Sequence, residues 1–480
     1  MNKKNRVLIV SSVVLVILLA TLISDYNKGK ALVEDEASNY HIRISEQISE
    51  VSIIQKDMLS AGGNVYVFNL FHYISHYLLL FFGGYLFYIL PILMGVISTQ
   101  LVLLIFDKLN INKNVSLITS VLFILTPAFF NMFTTFKPLI FAVPLVLFSL
   151  FLLIKQKLAP GIILMAIIPL FGLKGTILAI LLLIAIIPFI KELGTNVFWK
   201  GKYWIGITIM LFVGVLSYGF VVLKLGLPNN AFFEISGINT FFSESGGFYG
   251  IQLIMTFLVF LGVVETWNQK RKYYPMYLTL TACIALIILY SEQFLIYISL
   301  FTAFFSAYGI TSLFSTKRKW GFNVLKQTTM LMIAITLIVS TAFAVLQGEE
   351  EDLECLEKLE DMPQGTVLSD FSNGFLIERY SKRAYTDENY YYVKDWNYRL
   401  NVTKRVFSSR NLVETVDILK NESIDYILVD KEMKQNRWNS TDDGLLGLLE
   451  NSETFKKVCG NLDIEIWSFN KDVNLTKISR

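Results

Sequence analysis

The chain has 480 residues, of which 54% are hydrophobic and only 17% are charged. Soluble globular proteins carry about 25% charged residues, and this chain has a high mean hydropathy of +0.52. These values exclude an ordinary soluble enzyme. The small net charge of +3 does not favour a nucleic-acid-binding protein.

Apolar runs recur along the first 346 residues, and a helix that crosses a bilayer needs roughly 20 such residues. No cleavage-site pattern follows the first run, which we therefore interpret as a retained helix and not a signal peptide. The run at 160–173 is short for a full span, so a re-entrant segment is an alternative there. The pattern predicts about 11 helices, at residues 7–24, 86–106, 115–133, 138–154, 160–173, 175–190, 203–223, 250–267, 275–291, 294–314 and 326–346.

Basic residues concentrate in alternate loops between these helices. The short turns on the opposite side carry only Lys137 and Lys174, with Lys224 at a boundary. By the positive-inside rule, the N-terminus is predicted to be cytoplasmic. The loop at 25–85 and the tail at 347–480 are then predicted to lie outside.

The tail differs in composition from the helices and predicts a separate domain. Strand-like runs occupy 365–371, 425–431 and 463–469, and a helical run at 412–422 precedes the second of them. This alternation indicates an extracytosolic α/β domain that follows a transmembrane domain at 1–346. Outside the cell a disulfide between Cys355 and Cys459 is chemically permitted, but sequence cannot show whether they are close.

The stretch EDEASNYHIRISEQI begins at Glu34, shortly after the first apolar run. Placed on a helix from Asp35 to Gln55, its apolar residues form one stripe, as in a helix that lies in the membrane interface. Asp35 and Glu36 fall at the start of that helix, where the helix dipole stabilises anions. They form either part of a solvated face or a carboxylate site at the lipid–water boundary.

Other candidate residues lie close to the predicted outer surface. His72 and His76 are four residues apart on one helix face, a spacing that suits a metal, although no acidic third ligand is adjacent. Interfacial packing is the alternative. Lys137, Lys174 and Glu292 lie at outer helix ends, where the lysines either extend to water or neutralise a lipid phosphate.

Sugar transfer from a polyprenyl phosphate would use all of these features. A carboxylate would act as general base on the acceptor, and cations would stabilise the departing phosphate. The alternative is a non-enzymatic transporter or a lipid-binding scaffold that displays the tail domain. The nearly charge-free helix centres argue against transport.

With these motifs, the chain resembles membrane glycosyltransferases of the GT-C fold, and above all the short archaeal members related to oligosaccharyltransferase catalytic subunits and protein O-mannosyltransferases. The resemblance depends on EDEASNYHIRISEQI, on AGGNVYVFNLFHYISHYLL and on the many-helix body. In those families an essential acid precedes a YHLR-like element, which here reads YHIR at Tyr40–Arg43. The resemblance implies Asp35 as the base and Glu36 as its partner or substitute. In the same reaction we predict phosphate contacts at Arg43, Lys137 and Lys174, and substrate contacts at His41, His72 and Glu292.

The chain also departs from oligosaccharyltransferases, which remain a narrower alternative. Residues 369–374 read SDFSNG where those enzymes carry Trp-Trp-Asp-Tyr-Gly, and NMFTTFKPLIF lacks their second acidic motif. No cofactor is therefore required, and a divalent metal is left open without support. The expected partners are a polyprenyl- or dolichyl-phosphate-linked sugar, a protein or glycolipid acceptor and membrane lipids, with inversion at the sugar and no nucleic acid.

Overall fold

A computed structural model describes residues 3–27, 36–48, 56–57, 59, 64–65, 68–192, 202–225, 242, 250–289, 295–314, 323–346, 354–388, 393, 395–438, 443–461 and 464–473. The chain forms two compact units. Unit 1 comprises Met1–Ser24, Asn69–Phe220 and Phe232–Gly348. Unit 2 comprises Asp25–Phe68, Val221–Ala231 and Glu349–Arg480.

Most of the described chain is helical. In chain order the described helices are α1 (Lys3–Asn27), α2 (Glu36–Gln47), α3 (Leu70–Phe82), α4 (Leu86–Lys108), α5 (Lys113–Ile124), α6 (Pro127–Phe133), α7 (Leu139–Ile154), α8 (Leu158–Ile167), α9 (Leu173–Glu192), α10 (Lys202–Leu225), α11 (Leu253–Trp267), α12 (Lys270–Leu289), α13 (Leu295–Leu313), α14 (Asn323–Leu346), α15 (Glu354–Asp361), α16 (Gly374–Arg379), α17 (Trp396–Ser408), α18 (Leu412–Asn421), α19 (Lys431–Arg437) and α20 (Gly444–Leu449).

Unit 1 has the helices of a multi-pass membrane protein. Among the described residues, three helices are long and apolar enough to cross a bilayer, or four if the bent pair α5–α6 counts as one span. Six further apolar helices are shorter. The number of crossings and the sidedness of the termini stay predictions.

Two predicted helices differ from the observed ones. The run at 115–133 is not one helix: α5 and α6 meet at a bend of 64°. Pro127 has no backbone N–H and begins α6, and Thr126 caps that helix by accepting a hydrogen bond from the N–H of Phe129. The run at 160–173 forms α8 and then a 3₁₀ turn at Ile168–Phe171.

Two glycines bring α11 and α13 unusually close together. A Cβ atom on Gly262 would lie 1.8 Å from the carbonyl oxygen of Phe305, and one on Gly309 would lie 2.2 Å from that of Leu258. Only glycine permits this backbone approach. Small residues are common in such contacts because membrane helices associate through close packing.

An ion pair joins α1 to α4 in unit 1. Arg6 donates to both carboxylate oxygens of Asp107, at 2.7 and 2.9 Å. Arg6 is only 4% exposed, so the paired carboxylate is what makes burial of its charge tolerable.

Unit 2 contains a five-stranded sheet. The strands of this unit are β1 (Lys56–Asp57), β2 (Asn64–Val65), β3 (Thr366–Leu368), β4 (Arg383–Ala384), β5 (Ile424–Asp430), β6 (Phe455–Gly460) and β7 (Ile464–Phe469). The sheet has the order β4-β3-β5-β7-β6; β4, β3 and β5 are parallel, whereas β7 is antiparallel to both β5 and β6. This mixed sheet agrees with the predicted α/β tail.

Strand β5 forms the centre of this sheet. Ile427 and Val429 pack into one hydrophobic cluster, and Tyr426 and Leu428 pack into another. Because successive side chains of a strand point to opposite faces, β5 is buried on both sides. Its nearly continuous apolar sequence follows from this position.

The segment at 25–68, hereafter the loop segment, belongs to unit 2. The sequence-based boundaries grouped it with the transmembrane helices. Its contacts with the tail, described below, link residues more than 300 positions apart in the chain. Sequence patterns report local structure, so they do not reveal this grouping.

A disulfide joins Cys355 of α15 to Cys459 of β6, across a sequence separation of 104 residues. Cross-linking a loop of this length removes much entropy from the unfolded chain, which corresponds to about 2–5 kcal/mol of stability.

We expect a double Cys355→Ser, Cys459→Ser variant to lose about 2–5 kcal/mol of unfolding free energy in unit 2, because the unfolded chain regains that entropy. Thermal unfolding with and without reductant, followed by proteolysis of the tail, measures the loss. The matched control is Cys283→Ala, which removes the buried free cysteine of α12. It should remain as sensitive to reductant as wild type. A double variant as stable as oxidised wild type would contradict the expected stabilisation.

Candidate active site

The structure describes the backbone of one acidic candidate, at the start of α2. Glu36 is the first residue of this helix, but its side chain lies outside the described part of the structure. Asp35 and Glu292 also lie outside the described residues. Most of the described side chains of α2 are buried in unit 2, and this packing holds the helix in place.

Arg43 is the best-defined charged residue on α2. Its guanidinium donates to both oxygens of Asp57, at 3.0 and 2.5 Å, and to Oε2 of Glu378 at 2.6 Å. The side chains of Arg43 and Glu378 are only 3% and 1% exposed. A charge buried this deeply needs such pairing to offset the loss of hydration.

Glu378 also interacts with a second acid. Among the described residues, no hydrogen-bond donor reaches its Oε1 atom, and the carboxylate of Asp387 lies close enough to affect its pKa. Burial raises the pKa of Glu378, the charge of Arg43 opposes this, and the neighbouring carboxylates of Asp387 and Asp57 raise it further. The net effect is a pKa well above the ordinary range of a glutamate.

Contacts beside this cluster also join α2 to α16. Arg379 donates to the side-chain oxygen of Asn39 at 3.1 Å, and the rings of Tyr40 and Phe375 lie 4.9 Å apart between centroids. Polar and aromatic contacts therefore surround the ion cluster on the same pair of helices.

The loop segment also contacts the edge of the sheet. The backbone N–H of Ala384, in edge strand β4, donates to the carbonyl of Leu59 at 3.0 Å. The loop segment thereby gives a hydrogen-bond partner to an edge that would otherwise need one.

This geometry changes the interpretation of Arg43. The sequence analysis predicted a phosphate contact, but the guanidinium is almost fully buried and has two carboxylate partners. A phosphate would have to displace one of them, so the structure favours a structural role. His41, predicted to contact substrate, is half-buried beside Tyr40, with 5.3 Å between ring centroids.

The sequence patterns did not identify Asp57, Glu378 or Asp387. The available signal for Glu378 was weak: a single carboxylate in the otherwise apolar run GFLIE. Its partner Arg43 is 335 residues away, so no local pattern connects them.

The other candidates belong to unit 1, where an aromatic chain connects their surroundings. The rings of Phe71 and Phe136 lie 4.8 Å apart, those of Phe71 and Phe141 lie 5.8 Å apart, and Phe141 stacks on Phe171 at 5.7 Å. These contacts bring together the start of α3, the turn between α6 and α7, and the turn before α9.

Three predicted site residues are close sequence neighbours of this aromatic chain. His72 follows Phe71 and is 2% exposed. Lys137 follows Phe136, and Lys174 is the second residue of α9; both side chains are half-buried. The structure thus brings the segments that carry these three residues into one region of unit 1. Their roles toward phosphate or substrate stay predictions.

Residues 369–374 form a polar network in unit 2. Asn373 donates to Ser369 Oγ at 3.1 Å and to Asp430, while Asp370 pairs with Arg437. This network joins the ends of parallel strands β3 and β5. In the described part of the chain, no three His, Cys, Asp or Glu side chains come together as metal ligands.

Comparisons with known proteins address the fold directly. No family model and no curated protein sequence matches the chain. Solved structures do. ArnT from Cupriavidus metallidurans superposes with a TM-score of 0.61 at 11% identity, over 98% of each chain. The chain has the GT-C fold. At such identities the likeness establishes the fold alone.

Two further solved GT-C structures contain lipid phosphates. ArnT bound to undecaprenyl phosphate matches with a TM-score of 0.59 at 12% identity, over 97% of this chain and 98% of that one. The archaeal oligosaccharyltransferase AglB from Archaeoglobus fulgidus, in complex with an inhibitory peptide and a dolichol-phosphate, has a TM-score of 0.61 at 14% identity. That match covers 90% of this chain and 70% of AglB.

The raised pKa of Glu378 predicts a pH-dependent stability. The folded protein holds this proton more tightly than the unfolded chain, so stability is full below the ordinary glutamate pKa of about 4.3 and is lost as pH rises toward the folded pKa. Glu378→Gln should flatten this dependence, because the amide does not titrate in this range and can still accept a hydrogen bond from Arg43. Apparent melting temperatures from pH 5 to 8 measure the slope.

A matched control for this pH series is Glu414→Gln. Glu414 pairs with Arg405 through a side chain that is 46% exposed, and it should keep the wild-type slope. If Glu378→Gln also kept that slope, the buried proton would not be the cause.

Proposed function

We propose that this protein is a membrane glycosyltransferase that moves a sugar from a polyprenyl-phosphate carrier to an acceptor at the outer membrane face. The observation that carries the proposal is the GT-C fold, which extends over nearly the whole chain, including the soluble tail. In two solved structures with this fold a lipid phosphate is bound. A donor of the same chemistry suits a chain with apolar helices and lysines at their ends.

The reaction would be a single displacement at the anomeric carbon. A carboxylate takes the proton of the acceptor as the acceptor attacks, and the bond to the lipid phosphate breaks with inversion. Asp35 is our choice for this base, with Glu36 as its partner or substitute. The departing phosphate needs positive charge and not a proton donor, a role we assign to Lys137 and Lys174.

The remaining assignments follow the same scheme. His41, His72 and Glu292 would contact the donor or the acceptor. The acceptor would be a protein or glycolipid on the outer face, with the N-terminus in the cytoplasm and the tail outside. The absence of the Trp-Trp-Asp-Tyr-Gly pattern at 369–374 places oligosaccharide transfer to asparagine second.

The test uses purified protein in lipid vesicles with a panel of radiolabelled polyprenyl-phosphate sugars. Asp35→Ala should lower donor turnover by about 10²- to 10⁴-fold while donor binding is retained, because only the proton transfer is lost. Glu36→Ala reports whether the second acid shares this role. The matched control is Glu34→Ala, the third acid of the same run, which should keep wild-type turnover.

One outcome would contradict the proposed activity, and another would contradict only the assignment of the base. If wild type neither bound nor turned over any donor, a transporter or lipid-binding scaffold would be favoured. If Asp35→Ala, Glu36→Ala and their double variant all kept full turnover, the base would lie elsewhere.

A further inference from the structure

We infer that the hydrogen-bonded contact between Arg43 and Glu378 is a positioning device, through which the tail domain holds α2, the helix whose first residue is the candidate acid Glu36. This inference rests on the proposed function, because it concerns how Glu36, the first residue of α2, is placed. Neither Arg43 nor Glu378 would touch substrate. Both would act through α2.

Arg43 connects α2 to two different parts of the chain. Arg43 has two partners of different kinds: Asp57 lies 14 residues away in the same loop segment, whereas Glu378 lies 335 residues away on α16. The pair with Asp57 stiffens the loop segment internally. The pair with Glu378 attaches it to the tail.

Arg43 lies close to the start of α2. Arg43 is seven residues after Glu36, which is about two helical turns or roughly 10 Å at 1.5 Å per residue. Asn39 and Tyr40, which contact Arg379 and Phe375, lie between them. A helix of 12 residues is marginal in isolation, so these contacts determine both whether α2 forms and where its N-terminus lies.

The contact that joins Arg43 to Glu378 is buried. A surface contact would suffice to tether a loop, but here the link is a guanidinium and a carboxyl group that are almost fully buried. Such a pair has strict geometry, because a shifted partner leaves an uncompensated buried charge. It therefore fixes the helix in one position, which a general base requires since small displacements are costly to the rate.

The first experiment compares Glu378→Ala with Asp57→Asn in full-length protein in lipid. Glu378→Ala should increase hydrogen exchange at the amides of α2 and lower kcat by about 10- to 100-fold with an unchanged donor Kd. Asp57→Asn, which leaves the link to α16, should have a smaller effect on both. Normal kcat with a released α2 would overturn the positioning role while leaving the glycosyltransferase proposal intact.

A second experiment covers the case in which Glu378→Ala does not fold. Asn39→Ala, Arg379→Ala and their double variant remove one polar contact between the same helices. Each single variant should lower kcat without changing donor Kd, and the double variant should be no worse than the singles because one link is lost in all three. Additive losses, or losses in donor Kd, would overturn the inference. A wild-type protein without any donor turnover would overturn it together with the proposed function.

Discussion

The buried guanidinium of Arg43, whose side chain is 3% exposed, links distant segments of unit 2. Arg43 can be buried only because Asp57 and Glu378 meet it there, and these partners come from two distant parts of the chain. The loop segment and the tail consequently form one compact unit. Glu36, one of the candidate acids, begins the helix that this interaction holds, so the placement of that helix depends on the fold of the tail.

Much of the fold was predictable because it is encoded locally. Long apolar runs gave the helices of unit 1, and the runs at 365–371, 425–431 and 463–469 gave β3, β5 and β7. Pro127 is a sequence signal for the bend between α5 and α6. The apolar residues on both sides of it form one continuous run, which was interpreted as a single helix. Strand β6 was missed because its sequence FKKVCG is largely exposed and lacks an apolar pattern.

The site was less predictable, because it depends on contacts between distant residues. The EDE run and the YHIR element drew attention to the helix that contains Arg43, but nothing near them in the sequence indicates Glu378 or Asp387. The same limit affected Arg43: its charge suggested a phosphate contact, whereas its burial became visible only in the structure. In unit 1, the aromatic chain from Phe71 to Phe171 connects segments that carry His72, Lys137 and Lys174. Their separate positions in the sequence did not reveal that these segments are neighbours.

The most direct test of this account asks whether α2 lies on α16 in the full-length protein. Cysteines at Tyr40 and Phe375, whose rings lie 4.9 Å apart, can be joined by a short bis-maleimide in a Cys283→Ala background. The account predicts efficient cross-linking in lipid, and markedly less when Glu378→Ala is added. Equal cross-linking in both proteins, or none in either, would contradict the claim that the Arg43–Glu378 pair holds the loop segment on the tail.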